Sequence, residues 1–172
     1  MTLTTLADAL IGLAVIALIC VRQLRWTALR PTRLWRAPFV LAAIGVVSLL
    51  QTGARTLTAT DVALLLLEAA IALGTGAAMG AITVFRPIRA VPPLREGEPV
   101  PTLEVRTGWI GVALWAVLIA VRIGIAVLGH GTGAAAAEST GVILLTIALN
   151  RAARAAVVQL RTATAAPAIA RR

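Results

Sequence analysis

Two charged residues lie inside long apolar stretches of the sequence and are the strongest candidates for chemistry. Glu68 lies in the run 62–85, and Arg122 lies in the run 109–128. A charge at the centre of a bilayer costs at least about 2.5–3.5 kcal/mol on insertion scales, so charges there are paired or functional. At about 1.5 Å per residue, each lies about 9 Å from the outer end of its run. The sequence predicts an ion pair between adjacent antiparallel helices, and the alternative is a ligand or proton site that uses the same pair.

The remaining reactive residue types are scarce. The chain holds one cysteine, Cys20, and one histidine, His130. A single cysteine excludes an intrachain disulfide, and the two residues cannot form a Cys/His zinc cluster or a bis-histidine haem site within one chain. We interpret Cys20 as a packing residue and His130 as part of a glycine-rich turn. Because nucleophiles, bases and metal ligands are nearly absent, we predict no catalytic, metal or cofactor site, which favours a protein that is not an enzyme.

The composition is that of a membrane protein. Of the 172 residues, 59% are hydrophobic and 13% are charged, and the mean hydropathy is +0.93. Soluble domains are about a quarter charged, and a soluble fold of this size could not bury so much apolar surface in one core. This excludes an ordinary cytosolic enzyme, a disordered chain and a disulfide-stapled secreted domain. The net charge of +9 comes from short arginine clusters between apolar runs, which argues against a nucleic-acid partner.

The apolar runs define the elements that position these residues. A membrane-spanning helix needs roughly 20 mostly apolar residues, and five stretches fit or nearly fit. We predict an all-α integral membrane bundle of five transmembrane helices, forming one domain over residues 1–160 and followed by a basic cytoplasmic tail at 161–172. The predicted helices cover residues 3–21, 37–54, 62–85, 109–128 and 139–160.

The arginines predict the orientation of this bundle. Most of them lie in the loop after the first run, in the loop after the third run and in the tail, and such clusters favour the cytoplasmic side. The N-terminus is therefore predicted outside and the C-terminus inside. The proline-rich stretch 86–108 is interpreted as a stiff cytoplasmic connector. Arginine-rich, lysine-free composition is typical of a GC-rich bacterial genome, which predicts a bacterial cell membrane.

Two further sets of residues predict packing and lipid contact. Gly76 and Gly80 have the small-xxx-small spacing that lets two helices approach closely, and the partner helix is either in the same chain or in a second copy. Arg151, Arg154 and Arg161 lie along the last helix and are predicted to reach anionic lipid headgroups by snorkelling.

Several short segments together carry a family resemblance. The sequence VRQLR follows the first run at 21–25, Leu67-Glu68-Ala69-Ala70 leads into the glycines at 74, 76 and 80, and AVRIG at 120–124 surrounds Arg122. These segments resemble the CcdC-like family of small multi-pass bacterial membrane proteins, named after a member linked to cytochrome c biogenesis. The resemblance covers roughly the first three quarters of the chain. It implies that Glu68 and Arg122 match a recurring glutamate and arginine, and it implies no activity or cofactor. The proline-rich stretch 92–101 departs from the shorter loop of that family.

Three functions fit these features, in the following order. The first is a non-enzymatic scaffold or accessory subunit of a membrane process, with further copies of the chain or another membrane protein as partner. The second is a small oligomeric transporter or proton-coupled carrier in which Glu68 titrates. The third is a membrane-embedded enzyme acting on a lipid or isoprenoid, with Glu68 or Asp8 as the acid, although the aspartate-rich motifs of its metal-dependent forms are missing.

Overall fold

A computed structural model describes residues 17–18, 20–51, 58–88, 100–132 and 139–169. Residues 20–24 are helical. They are followed, in chain order, by β1 (Thr27–Ala28), α1 (Pro31–Leu34), α2 (Arg36–Gln51), α3 (Ala59–Ile82), β2 (Val84–Pro87), β3 (Leu103–Arg106), α4 (Gly108–Thr132) and α5 (Thr140–Ile169).

The described chain is mostly helical, and three of its helices are long and apolar enough to cross a membrane. These three segments are Ala59–Ile82, Gly108–Gly129 and Thr140–Ala163. Helix α2 is also apolar but has only 16 residues. The prediction of a helical membrane protein is confirmed to this extent. Most of the predicted first helix, 3–21, and the end of the second, 52–54, lie outside the described residues.

Helix α3 begins with a reciprocal cap. The Thr58 hydroxyl accepts a hydrogen bond from the Asp61 backbone N–H at 3.1 Å, and the Asp61 carboxylate accepts one from the Thr58 backbone N–H at 2.9 Å. This capping box satisfies two backbone donors that the first helical turn leaves without partners. The helix therefore starts at Ala59, three residues before the predicted start of this segment at residue 62.

The all-α prediction missed a small three-stranded antiparallel sheet. Strand β3 is central and pairs with β1 and β2, so that Val105 lies opposite both Thr27 and Phe85. Helix α3 ends at Ile82 rather than at residue 85 because Val84–Pro87 leaves the helix and pairs with β3. The sheet joins the first and third loops, which are the arginine-rich ones. The connector 86–108 is therefore β-structure near both of its ends, and residues 89–99 lie outside the described part.

Helix α5 is central to the packing. It packs against both α2 and α3, and α3 also packs against α4. Close contact with α2 is made where Gly45 faces the backbone of Gly141. At the sheet end, Val158 of α5 joins a buried cluster with Leu29, Leu103 and Val105. The sheet is thereby fixed against α5, and we call this end, where the two arginine-rich loops meet, the arginine-rich end.

Candidate functional site

The structure brings Glu68 of α3 and Arg122 of α4 into direct contact. One terminal nitrogen of Arg122, Nη1, donates to both carboxylate oxygens of Glu68, at 2.9 Å to Oε1 and 2.8 Å to Oε2. The Glu68 side chain is only 3% exposed, whereas that of Arg122 is 17% exposed. Burial raises the free-energy cost of leaving either charge unpaired, so removing one partner should destabilise the protein.

Thr146 of α5 is a third member of this site, and the sequence analysis missed it. Its buried hydroxyl lies 2.9 Å from Glu68 Oε1 and 2.9 Å from the backbone oxygen of Val142. Because a hydroxyl has one proton, it donates to one of these oxygens at a time. Glu68 therefore links three helices. A polar residue one turn from Asn150 on an apolar helix is the signal that could have pointed to Thr146.

A second buried polar contact lies one turn further along α3 and α5. The Asn150 amide nitrogen donates to the backbone oxygen of Ala72 at 3.1 Å and to the Thr75 hydroxyl at 2.9 Å. Asn150 is 1% exposed, so these bonds satisfy an amide that would otherwise be buried without a partner. We call Glu68, Thr146, Asn150 and Thr75 the polar seam. It follows the contact between α3 and α5.

The glycine pair of α3 packs within the same chain. A Cβ atom at Gly76 would clash with the backbone of Asn150, and one at Gly80 would lie 2.7 Å from Cβ of Val157. By contrast, a Cβ at Gly74 would meet nothing within 4 Å. The structure thus gives the two glycines a partner helix in this chain, α5, because only residues without a side chain allow these backbones to approach so closely.

The three arginines of the last helix have different surroundings. Arg154 donates to the Thr107 hydroxyl and, at 3.5 Å, to the Gln23 side-chain oxygen. Arg161 donates to the backbone oxygens of Gly80, Ala81 and Thr83, and its guanidinium lies 5.0 Å from the Phe85 ring. Arg161 thereby caps the C-terminus of α3, a role that suits a cation. Arg151 is exposed. The prediction of headgroup contact did not anticipate the protein partners of Arg154 and Arg161.

The other residues singled out in the sequence lie apart from the pair. Cys20 is a free, half-buried thiol that lines an apolar cavity beside Trp115 and Ile119 of α4. His130 lies in the last turns of α4, which continues to Thr132 instead of ending at residue 128, so the predicted glycine-rich turn is partly helical. In the described part of the chain, no three His, Cys, Asp or Glu side chains come together as they would to hold a metal ion.

The contacts of Glu68 suit a structural role between three helices. Glu68 accepts hydrogen bonds from the Arg122 guanidinium and lies within hydrogen-bond distance of the Thr146 hydroxyl, so its contacts reach two other helices. It is therefore well suited to fixing the relative positions of α3, α4 and α5.

Comparison of the chain with protein-family models, curated proteins and solved structures finds no match. The resemblance to the CcdC-like family therefore stays an expectation from the sequence, and the site is interpreted from its own geometry.

Proposed function

We propose that this chain is a non-enzymatic scaffold or accessory subunit of a bacterial membrane process, which binds another membrane protein or further copies of itself. One observation carries the proposal: polar side chains between the helices are engaged in holding the helices together. Glu68 binds Arg122 and Thr146, and Asn150 binds Ala72 and Thr75. Such a network specifies one arrangement of helices, which suits a protein that acts through its shape.

The proposed setting is a five-span bundle with its N-terminus outside and its C-terminus in the cytoplasm. The sheet supports this orientation because it holds both arginine-rich loops at one end of the bundle. In a Cys20→Ser background, a membrane-impermeant maleimide added to intact cells is expected to label Thr60→Cys and to leave Thr102→Cys unlabelled. Both positions are exposed in the structure. The opposite labelling pattern would contradict the orientation.

The outward side of α4 is the first surface to test for a partner. Ile110, Val117 and Leu128 are 62%, 49% and 60% exposed, whereas Leu118 and Ile125 of the same helix are 5% and 3% exposed. A photo-crosslinking amino acid is placed at each of these five positions in the full chain, in its native membrane. The proposal expects a protein adduct of one defined mass from exposed positions and none from Leu118 or Ile125.

The same photo-crosslinking experiment tests a second exposed apolar surface, on α2. Phe39 and Leu50 of α2 are 67% and 76% exposed. Protein adducts from α2 alone would still support the proposal and would identify α2 as the contact surface. Lipid adducts without any protein adduct, from the exposed positions of both helices, would contradict the proposal.

A proton-coupled carrier is the second candidate, and the polar seam favours it. Glu68, Thr146 and Asn150 form a run of buried polar groups along α3 and α5, in a region where polar residues often serve transport. In proteoliposomes, this candidate expects proton flux that is lost in Glu68→Gln and kept in Glu104→Gln, which makes the same chemical change in the sheet. The scaffold proposal expects no flux from the wild-type chain. A lipid or isoprenoid enzyme is the third candidate.

A further inference from the structure

Three arginines from two separate segments lie close together at the arginine-rich end. Arg151 and Arg154 are one turn apart on α5. Arg154 donates to the side chain of Gln23, which is the neighbour of Arg22 in the chain. This contact holds the segment that carries Arg22 against α5, and the positive charge of Arg22 acts on Arg151. We call Arg22, Arg151 and Arg154 the arginine cluster.

The positive charge of this cluster is not balanced by the protein groups that the structure describes. Within that part of the chain, Arg22 and Arg151 make no side-chain hydrogen bond or ion pair, and both are exposed. Arg154 donates only to the neutral side chains of Gln23 and Thr107. These two bonds use two of the five N–H groups of its guanidinium, and they hold it beside the other two arginines. Three neighbouring cations form a strong site for an anion.

The depth of the cluster points to the membrane interface. Arg154 binds Thr107, which immediately precedes α4. The apolar part of α4, Gly108–Gly129, has 22 residues. At about 1.5 Å per residue this part is about 33 Å long, close to the hydrocarbon thickness of about 30 Å. The Arg154 backbone lies within the apolar segment Thr140–Ala163 of α5, but its guanidinium reaches Thr107 at the end of the α4 span. This end is next to the level of the phospholipid phosphates.

We propose that Arg22, Arg151 and Arg154 form a binding site for a phosphate group, with Gln23 and Thr107 as positioning residues for Arg154. Planar guanidinium groups match the geometry of phosphate oxygens and bind them through paired hydrogen bonds. The position of the site favours the headgroup of an anionic phospholipid as the source of this phosphate, and free phosphate is the other source. The proposal does not depend on the scaffold function.

The test compares lipid retention by the full chain and its variants. The protein is reconstituted in mixed phosphatidylcholine and phosphatidylglycerol, extracted in mild detergent and examined by native mass spectrometry. Near an anionic surface each arginine contributes about fivefold to binding. We expect the wild type to retain phosphatidylglycerol about tenfold or more over phosphatidylcholine, and Arg22→Gln/Arg151→Gln to lose most of this preference. Arg151→Lys keeps the charge and should retain an intermediate preference.

A matched control distinguishes binding at the arginine cluster from general attraction of anionic lipid to surface arginines. Arg25→Gln/Arg36→Gln also removes two exposed arginines at this end but leaves the cluster intact. It should keep the wild-type preference, and circular dichroism should show unchanged helix content in both double variants. If the control loses as much preference as Arg22→Gln/Arg151→Gln, or if neither variant differs from the wild type, the lipid site is overturned.

A second arm identifies the source of the phosphate. In phosphatidylcholine vesicles, millimolar inorganic phosphate should leave the thermal unfolding midpoint of the wild type unchanged if the ligand is a lipid headgroup. A rise in this midpoint, absent in Arg22→Gln/Arg151→Gln, would keep the phosphate site and assign it to free phosphate. No response specific to the cluster in either arm would overturn the proposal entirely.

Discussion

Removing one charge of the Glu68–Arg122 pair should destabilise the bundle strongly, whereas removing both charges should not. Arg122→Met keeps an apolar chain of similar length but leaves Glu68 as a buried carboxylate supported only by the Thr146 hydroxyl. Glu68→Gln leaves the arginine charge opposite a neutral amide. The double variant contains neither charge. The comparison therefore isolates the charge interaction from the packing of the side chains.

The structure predicts different stability costs for the two single variants. Breaking a buried ion pair by removing one partner usually costs about 3–5 kcal/mol. The Glu68 side chain is 3% exposed, so a carboxylate left there has almost no access to water, and Arg122→Met should cost the full amount. The Arg122 side chain is 17% exposed and long enough to turn toward a polar region. Glu68→Gln should therefore cost less, about 1.5–3 kcal/mol, as expected for a lost hydrogen bond to a charged group.

The free energy of unfolding would be measured by titrating detergent-solubilised protein with dodecyl sulfate and following the loss of helical circular dichroism. We expect the double variant to lie within about 1 kcal/mol of the wild type, because a neutral pair often replaces a buried ion pair at little cost. The coupling between the two sites, which is the sum of the two single costs less the cost of the double variant, should be at least about 3.5 kcal/mol. Additive effects, or a double variant less stable than Arg122→Met, would refute the reasoning that the two charges compensate each other.

Three further predictions concern contacts of α5. In the same unfolding assay, Gly76→Ala should cost about 1–3 kcal/mol because the new Cβ would clash with the Asn150 backbone. Gly74→Ala has open space around its Cβ and should be neutral or slightly stabilising. Asn150→Leu should cost about 1–2 kcal/mol through loss of two interhelical hydrogen bonds, and an unchanged stability would show that these bonds contribute nothing. Arg161→Gln should cost about 1 kcal/mol and speed amide exchange at the C-terminal end of α3, while Arg36→Gln, at the start of α2, should change neither.

The long helices and the contact between Glu68 and Arg122 follow from properties that a single sequence carries. Runs of about 20 apolar residues identify α3, α4 and α5 because the bilayer sets the length of a spanning helix. A carboxylate and a guanidinium inside such runs each need a partner, and their depths make them partners for each other. The antiparallel connection between α3 and α4 brings those depths together, so local information is enough.

The sheet and the contacts of α5 could not be obtained in this way. Strand β1 has two residues and β2 has four, too few to show the alternation of a strand. The contact of Thr146 with Glu68 joins residues 78 positions apart. Arg161 and Thr83 are separated by the same 78 positions. These contacts depend on the register between two parallel helices that are not consecutive, and neither charge nor hydropathy fixes that register.

The mass of the intact complex shows whether the chain is a scaffold or accessory subunit. Membranes carrying the tagged chain at its native level are extracted in mild detergent, and the purified material is analysed by native mass spectrometry. A scaffold or accessory subunit should appear in a species of fixed stoichiometry, either several copies of the 17.8 kDa chain or one chain with a membrane protein partner. Recovery of the monomer alone, under conditions in which a known membrane complex of the same cells stays assembled, would contradict the account.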